Sequence, residues 1–151
     1  MTLHAVPGPE MTAADLYAVL ELRHLVFVVE QVCPYPELDG RDLLPDTVHL
    51  WWQPDSTPLS YLRVLGAPDS ERRVGRVCTA ATARGTGLGS KLMAAAIDLI
   101  GPDESVLDAQ LPAQALYARF GYLPEGEPFD EDGILHIRMR RPGQSRTATS
   151  V

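Results

Sequence analysis

Residues 72–100 constrain the fold more than any other stretch of this chain. They read as strand, glycine turn, helix. Val74 to Thr79 is β-branched and apolar enough for a buried strand, and Arg84-Gly85-Thr86-Gly87-Leu88-Gly89 follows it. Leu88, Leu92, Met93, Ala96, Ile97 and Ile100 then recur at helical spacing as one apolar stripe. Glycines let the backbone turn tightly and approach a ligand closely. The first amides of the helix lack intrahelical acceptors and lie at the positive end of its dipole. An anion, above all a phosphate, is the natural partner of such a site. A P-loop needs glycine directly before lysine, and Gly89-Ser90-Lys91 does not supply it. A dinucleotide fold wants G-x-G-x-x-G and a long run of βαβ units, whereas this chain offers G-x-G-x-G with little chain after it. A glycine turn that only packs a helix on a strand is the remaining alternative.

The chain has 151 residues, enough for one domain with its own core. No apolar run reaches the length of a membrane span, and Met1-Thr2-Leu3-His4 does not begin a signal peptide, so a cytoplasmic protein is expected. Cys33 and Cys78 show no metal spacing and suit free thiols in a reducing compartment. The 13 basic and 20 acidic residues give a net charge of −7, which argues against nucleic acid and allows a cationic substrate.

Around the central stretch the expected elements fall in order. Residues 2–6 form a first strand. Thr12 caps a helix, with Asp15 three residues on, and the helix continues to about Phe27. Two prolines flank Tyr35, so 30–36 is a loop, followed by the acidic residues 37–42. Residues 48–53, 59–65 and 72–79 are sequential antiparallel strands. The long helix ends at Gly101-Pro102. A strand–helix–strand crossover then makes 106–110 run parallel to 72–79. Residues 112–120 form a short helix capped by Gly121. Tyr122-Leu123 and residues 134–140 are strands joined by an acidic loop, 125–133. A polar tail, 142–151, is expected to be disordered beyond a single domain at 1–141.

Arg84-Gly85-Thr86-Gly87-Leu88-Gly89 resembles the R-x-x-G-x-G/A pyrophosphate signature of the GNAT N-acetyltransferases. Leu116-Tyr117-Ala118-Arg119-Phe120-Gly121-Tyr122 resembles that family's L-Y-x-x-x-G-F segment, and Gln110 stands where many relatives carry Asn. Phe27-Val28-Val29-Glu30-Gln31, with Cys33-Pro34-Tyr35-Pro36-Glu37-Leu38-Asp39-Gly40-Arg41-Asp42, is similar to the ElaA-like branch, as is Asp132-Gly133-Ile134-Leu135-His136-Ile137. The resemblance extends over nearly the whole chain up to Arg140. It implies a single-domain α/β fold whose mixed, mostly antiparallel sheet splays a central parallel strand pair around the cofactor. It implies acetyl-CoA as co-substrate and, as acceptor, a primary amine of a small molecule or peptide. The runner-up is a non-catalytic acyl-CoA-binding or regulatory module. Monomer and homodimer are both open.

Carried onto this chain, the resemblance assigns the pyrophosphate to the backbone of Gly85, Thr86, Gly87, Leu88, Gly89 and Ser90. Arg84 either assists that charge or is a solvated arginine at the helix start. Val77, Cys78 and Thr79 offer backbone groups to the pantetheine arm, with Gln110 as a further contact. Cys78 itself fits a small buried apolar residue. A backbone N–H at Cys78 or Thr79 is the expected oxyanion donor. Tyr117, whose phenol stays protonated at neutral pH, is the expected acid for the leaving thiolate. Glu30 and His136 are the candidate bases. One of Trp51 and Trp52 is core; the other, with Tyr35, is a candidate liner of the acceptor cleft. The acidic residues 125–132 are either a solvated loop or an attractor for a cationic amine.

Overall fold

The computed structural model describes residues 2–55 and 57–144. A seven-stranded sheet carries helices on both faces, in the spatial order β1-β2-β3-β4-β5-β7-β6. The strands are β1 (Thr2–Pro7), β2 (Val48–Gln53), β3 (Ser60–Leu65), β4 (Arg72–Thr79), β5 (Ser105–Gln110), β6 (Leu123–Glu131) and β7 (Ile134–Arg141). The helices are α1 (Ala13–Arg23), α2 (Leu88–Ile100) and α3 (Gln114–Ala118). All pairings are antiparallel except β4 with β5. The disordered-tail expectation lies outside the described residues from position 145 on; within them, the Gln144 N–H donates to Pro102 O at 2.9 Å.

Strand alternation divides the core between the two faces. Leu50, Leu62 and Val74 face α2 and pack with its Leu92, Met93, Ala96 and Ile100. Trp51, Tyr61 and Cys78 face the other way, onto Val19, Leu22 and Val26. At roughly 1.5–3 kcal/mol per large apolar side chain, burying Leu88, Leu92, Met93 and Ile100 fixes the α2 stripe to the sheet. Thr12 Oγ1 accepts the Asp15 N–H at 3.1 Å and starts α1.

The helix expected to stop near Phe27 instead runs on as a π-helix, His24–Glu30. Val26, Val28 and Val29 are poor α-helix formers, and π segments recur at functional sites. The second correction concerns residues 125–133. They form the outer strand β6 rather than a loop, and the turn is only Asp132-Gly133. A register shift between Glu125 and Phe129 absorbs Gly126 and Pro128, which an edge strand tolerates.

The parallel pair is short. Arg72 pairs with Ser105 and Arg73 with Val106, and the ladder ends there, although β4 continues to Thr79 and β5 to Gln110. The two strands therefore part. Near the fork β4 carries a bulge: Arg76 and Val77 together face Leu62 between the pairs Arg63–Gly75 and Tyr61–Cys78. Arg76 adopts φ +53°, uncommon for a residue with a Cβ.

Candidate active site

The glycine turn lies at the open end of the fork. Gly85 and Gly87 take φ +77° and +82°, and a Cβ on either would meet no atom within 4 Å. Gly87 is the N-cap of α2 and no side chain caps it. The Lys91 N–H makes the first bond inside the helix, to Gly87 O at 3.1 Å. The amides of Leu88, Gly89 and Ser90 precede it and have no acceptor within α2. An open space faced by unpaired amides at a positive dipole end fits a diphosphate. Arg119 adds a cation, because its Nη2 donates to Ser90 Oγ at 3.2 Å. The chemistry of this position was hidden in the sequence by the separation of 29 positions between the two.

The backbone of β4 shows which amide faces the gap. The Ala80 N–H donates to Leu59 O at 2.8 Å, towards β3. Alternation sends the Thr79 N–H to the opposite side, into the fork, and the Cys78 N–H back to β3. Of these two amides, that of Thr79 is the one facing the fork. Its carbonyl points the same way and accepts from Arg84 Nε at 3.1 Å.

Tyr117 lies in the core beneath α2, edge-on to Tyr122 with ring centroids 6.4 Å apart. Burial, then Tyr122 and Cys78, raise the phenol pKa. Burial likewise pushes the Cys78 thiol up to about 12.

Two consecutive residues at the end of the π-helix span the fork. Glu30 forms a two-pronged ion pair with Arg84, Nη1 to Oε2 at 2.7 Å and Nη2 to Oε1 at 2.9 Å. Hydrogen bonding from Arg84 lowers the Glu30 pKa, which makes it a weaker proton acceptor. Gln31, beside it, accepts from Gln110 Nε2 at 3.2 Å. The sequence contains Gln31 but no local pattern that would pair it across 79 residues.

His136 stands directly across from Gln110 in the β5–β7 ladder. Its Nδ1 lies 2.8 Å from Ile134 O, a carbonyl that can only accept, so in the neutral tautomer Nδ1 carries the proton and Nε2 the lone pair. Glu131 Oε2 lies 3.9 Å from Nε2, and Phe129 stacks on the ring. Cys33 Sγ donates to Asp132 O at 3.1 Å and ties this hairpin to the segment after the π-helix. Of the two tryptophans, Trp51 is the one in the core. Trp51 is fully buried and Trp52 packs against the core under α2.

Most of the acidic 37–42 stretch is consumed internally. Arg23, fully buried, reaches Glu37 at 2.7 Å and Asp42 at 2.6 Å. Arg63 pairs with Asp39 and Asp42, and Arg76 binds Glu37 Oε1 at 3.0 Å and Glu37 O at 2.9 Å. Arg76 also lies over the Tyr35 ring, 5.5 Å from its centroid, which makes Tyr35 part of this cluster. The three guanidiniums fasten the loop to α1 and the sheet.

Residues 45–142 match the sequence model of the acetyltransferase (GNAT) domain. A UPF0039 protein of Mycobacterium tuberculosis is 43% identical over 148 residues, covering 95% of each chain. Protein ElaA of Escherichia coli is 42% identical over 139 residues, 87% of this chain and 90% of its own. The crystal structure of ElaA superposes with a TM-score of 0.88 at 34% identity over 93% of this chain and 99% of that one. An acyl-CoA N-acyltransferase from Pseudomonas aeruginosa superposes at 0.85 with 41% identity, again over 93% and 99%. Among the described residues no helix is long and apolar enough to cross a membrane.

Proposed function

The chain belongs to the GNAT acetyltransferase family, and from that premise we propose that it transfers an acetyl group from acetyl-CoA to a primary amine of a small molecule or peptide. The observation that carries this reading is the fork. β4 and β5 part after Arg73 and Val106, and the uncapped glycine turn of α2 opens beside the gap.

The residues divide the work. Amides from Gly85 to Ser90 hold the diphosphate, with Arg119 adding charge. Gln110 and the β4 backbone from Val77 to Thr79 orient the pantetheine arm. When bound, acetyl-CoA supplies a thioester whose acyl carbon takes the amine and whose sulfur leaves. The Thr79 N–H points into the fork and receives the negative charge that develops on the acyl oxygen. His136 Nε2, 3.9 Å from Glu131 Oε2, takes the proton the amine loses as its C–N bond forms. Tyr117 gives its proton to the departing sulfur, and a raised phenol pKa keeps that proton in place beforehand. Glu30, the other candidate base, is paired with Arg84 in the free protein, and this reading gives the role to His136 instead. With Glu131 beside His136, a cationic amine is the preferred acceptor class, and the protein works in the cytoplasm.

Thiol release from acetyl-CoA against a panel of amines tests the assignment. Tyr117→Phe is expected to lower turnover by about a hundredfold or more while coenzyme A affinity stays constant. Equal turnover would remove Tyr117 from the acid role. Binding of coenzyme A without thiol release from any amine would favour a binding module.

A further inference from the structure

Glu30 and Gln31 are neighbours in sequence, yet each ends on a different arm of the fork. Glu30 occupies the guanidinium of Arg84, which in turn caps the Thr79 carbonyl at the end of β4. Gln31 occupies the side chain of Gln110, the last residue of β5. Arg84 and Gln110 are two side chains with the right chemistry to meet a diphosphate and an amide-rich arm. The groups that now satisfy them are chemically alike to those partners: a carboxylate on the guanidinium, a carboxamide on the carboxamide.

We propose that Glu30-Gln31 is a strap that occupies two donor-binding side chains in the free protein, so that binding coenzyme A and releasing the end of the π-helix are one event. This rests on the reading of the fork as the coenzyme A site. The strap is built to let go. Side-chain exposures of 44% for Arg84 and 41% for Glu30 leave the ion pair in solvent, where such pairs hold weakly. The backbone just beyond it bonds back only to the π-helix, Val32 N–H to Val29 O at 3.3 Å and Cys33 N–H to Val28 O at 3.2 Å, and Val32 itself takes φ +50° with 83% exposure. The same segment reaches Cys33, whose thiol holds Asp132 O in the hairpin that carries His136. Release would thus be felt on the acceptor side.

Calorimetric titration of the full chain with coenzyme A, alongside hydrogen exchange of residues 28–33, tests the strap. Glu30→Gln is expected to tighten coenzyme A by about two- to fivefold. That variant also removes a negative charge near the phosphates, so Gln31→Ala, which leaves the charge unchanged, is the deciding one. The strap predicts tighter binding in Gln31→Ala as well, and faster exchange at 28–33 when the wild-type chain is saturated. Unchanged or weaker binding in Gln31→Ala, or exchange at 28–33 that slows or stays constant on saturation, overturns the strap while leaving the site reading intact. No binding by the wild-type chain overturns the site reading itself, and the strap with it.

Discussion

Arg76 stands at φ +53° on β4 while its guanidinium grips Glu37 through two hydrogen bonds, Nε to Oε1 at 3.0 Å and Nη2 to the main-chain O at 2.9 Å. The bulge that bends β4 is therefore pinned by the loop that closes over it. Glu37 also serves Arg23, which has no exposure to water. Glu37→Ala leaves a buried guanidinium with one carboxylate fewer and is expected to cost about 3–5 kcal/mol. Arg76→Gly should cost much less, because glycine removes roughly 1–2 kcal/mol of left-handed backbone strain and Arg76 is partly exposed. Thermal unfolding of the two variants checks the order; a larger loss for Arg76→Gly would contradict it.

Stability should fall on acidification in two stages. Burial lowers the pKa of His49, which sits between Tyr61 OH at 2.7 Å and Asp42 O at 2.8 Å. A folded pKa below the unfolded value means the unfolded chain binds the proton more readily. The His49 contribution is thus complete above about pH 6.5 and is lost as the pH falls through its folded pKa. Burial works to raise the Asp42 pKa, but hydrogen bonding and charge from Arg23, then Arg63, win and lower it. Hydrogen bonding and charge from Arg63 likewise overcome burial at Asp39. These contributions are complete above about pH 4 and fade below it. His49→Gln should flatten the upper stage of a denaturant-midpoint profile and spare the lower one. An unaltered slope just below about pH 6.5 would contradict the assignment.

Much of the scaffold was legible. β2 and β4 fall on the expected residues, Val48–Gln53 and Arg72–Thr79, because their apolar, β-branched runs leave few alternatives. The α2 stripe, the Thr12 cap, the Gly101 end and the parting of β4 from β5 were equally visible through the motif and the crossover. The π-helix was not, since seven residues give too short a window to tell an i→i+5 repeat from α. β6 was misread because its prolines, glycine and carboxylates carry loop propensity, and only pairing with β7 makes it a strand. The partners of Arg23, Arg63 and Arg76 lie 14 to 39 residues away, beyond any local pattern. For the same reason the Gln31–Gln110 contact appears only in three dimensions.

Gly87→Ala separates folding from binding. At φ +82° an alanine costs about 1–2 kcal/mol, which in a chain of this size is a melting shift of roughly 2–8 °C. The added methyl meets no protein atom within 4 Å but enters the space assigned to the diphosphate. Coenzyme A affinity should therefore drop by more than the stability loss accounts for, read as a dissociation constant at a temperature where the variant is fully folded. An unchanged constant would place the phosphates elsewhere.

Cys78 should be chemically silent. Its thiol is buried and its pKa is pushed up to about 12, so little thiolate exists at neutral pH to attack a thioester. Cys78→Ala is expected to keep thiol-release activity within a few-fold, with a modest melting loss from the small cavity. Acetylated Cys78 trapped by mass spectrometry would instead demonstrate a covalent route.

The most direct measurement is an amide chemical-shift titration of the isotope-labelled chain with coenzyme A. The largest changes are expected at Gly85, Thr86, Gly87, Leu88, Gly89 and Ser90, accompanied by Val77 and Thr79 on β4. Absence of any change, or changes confined to residues away from the fork, would contradict the account.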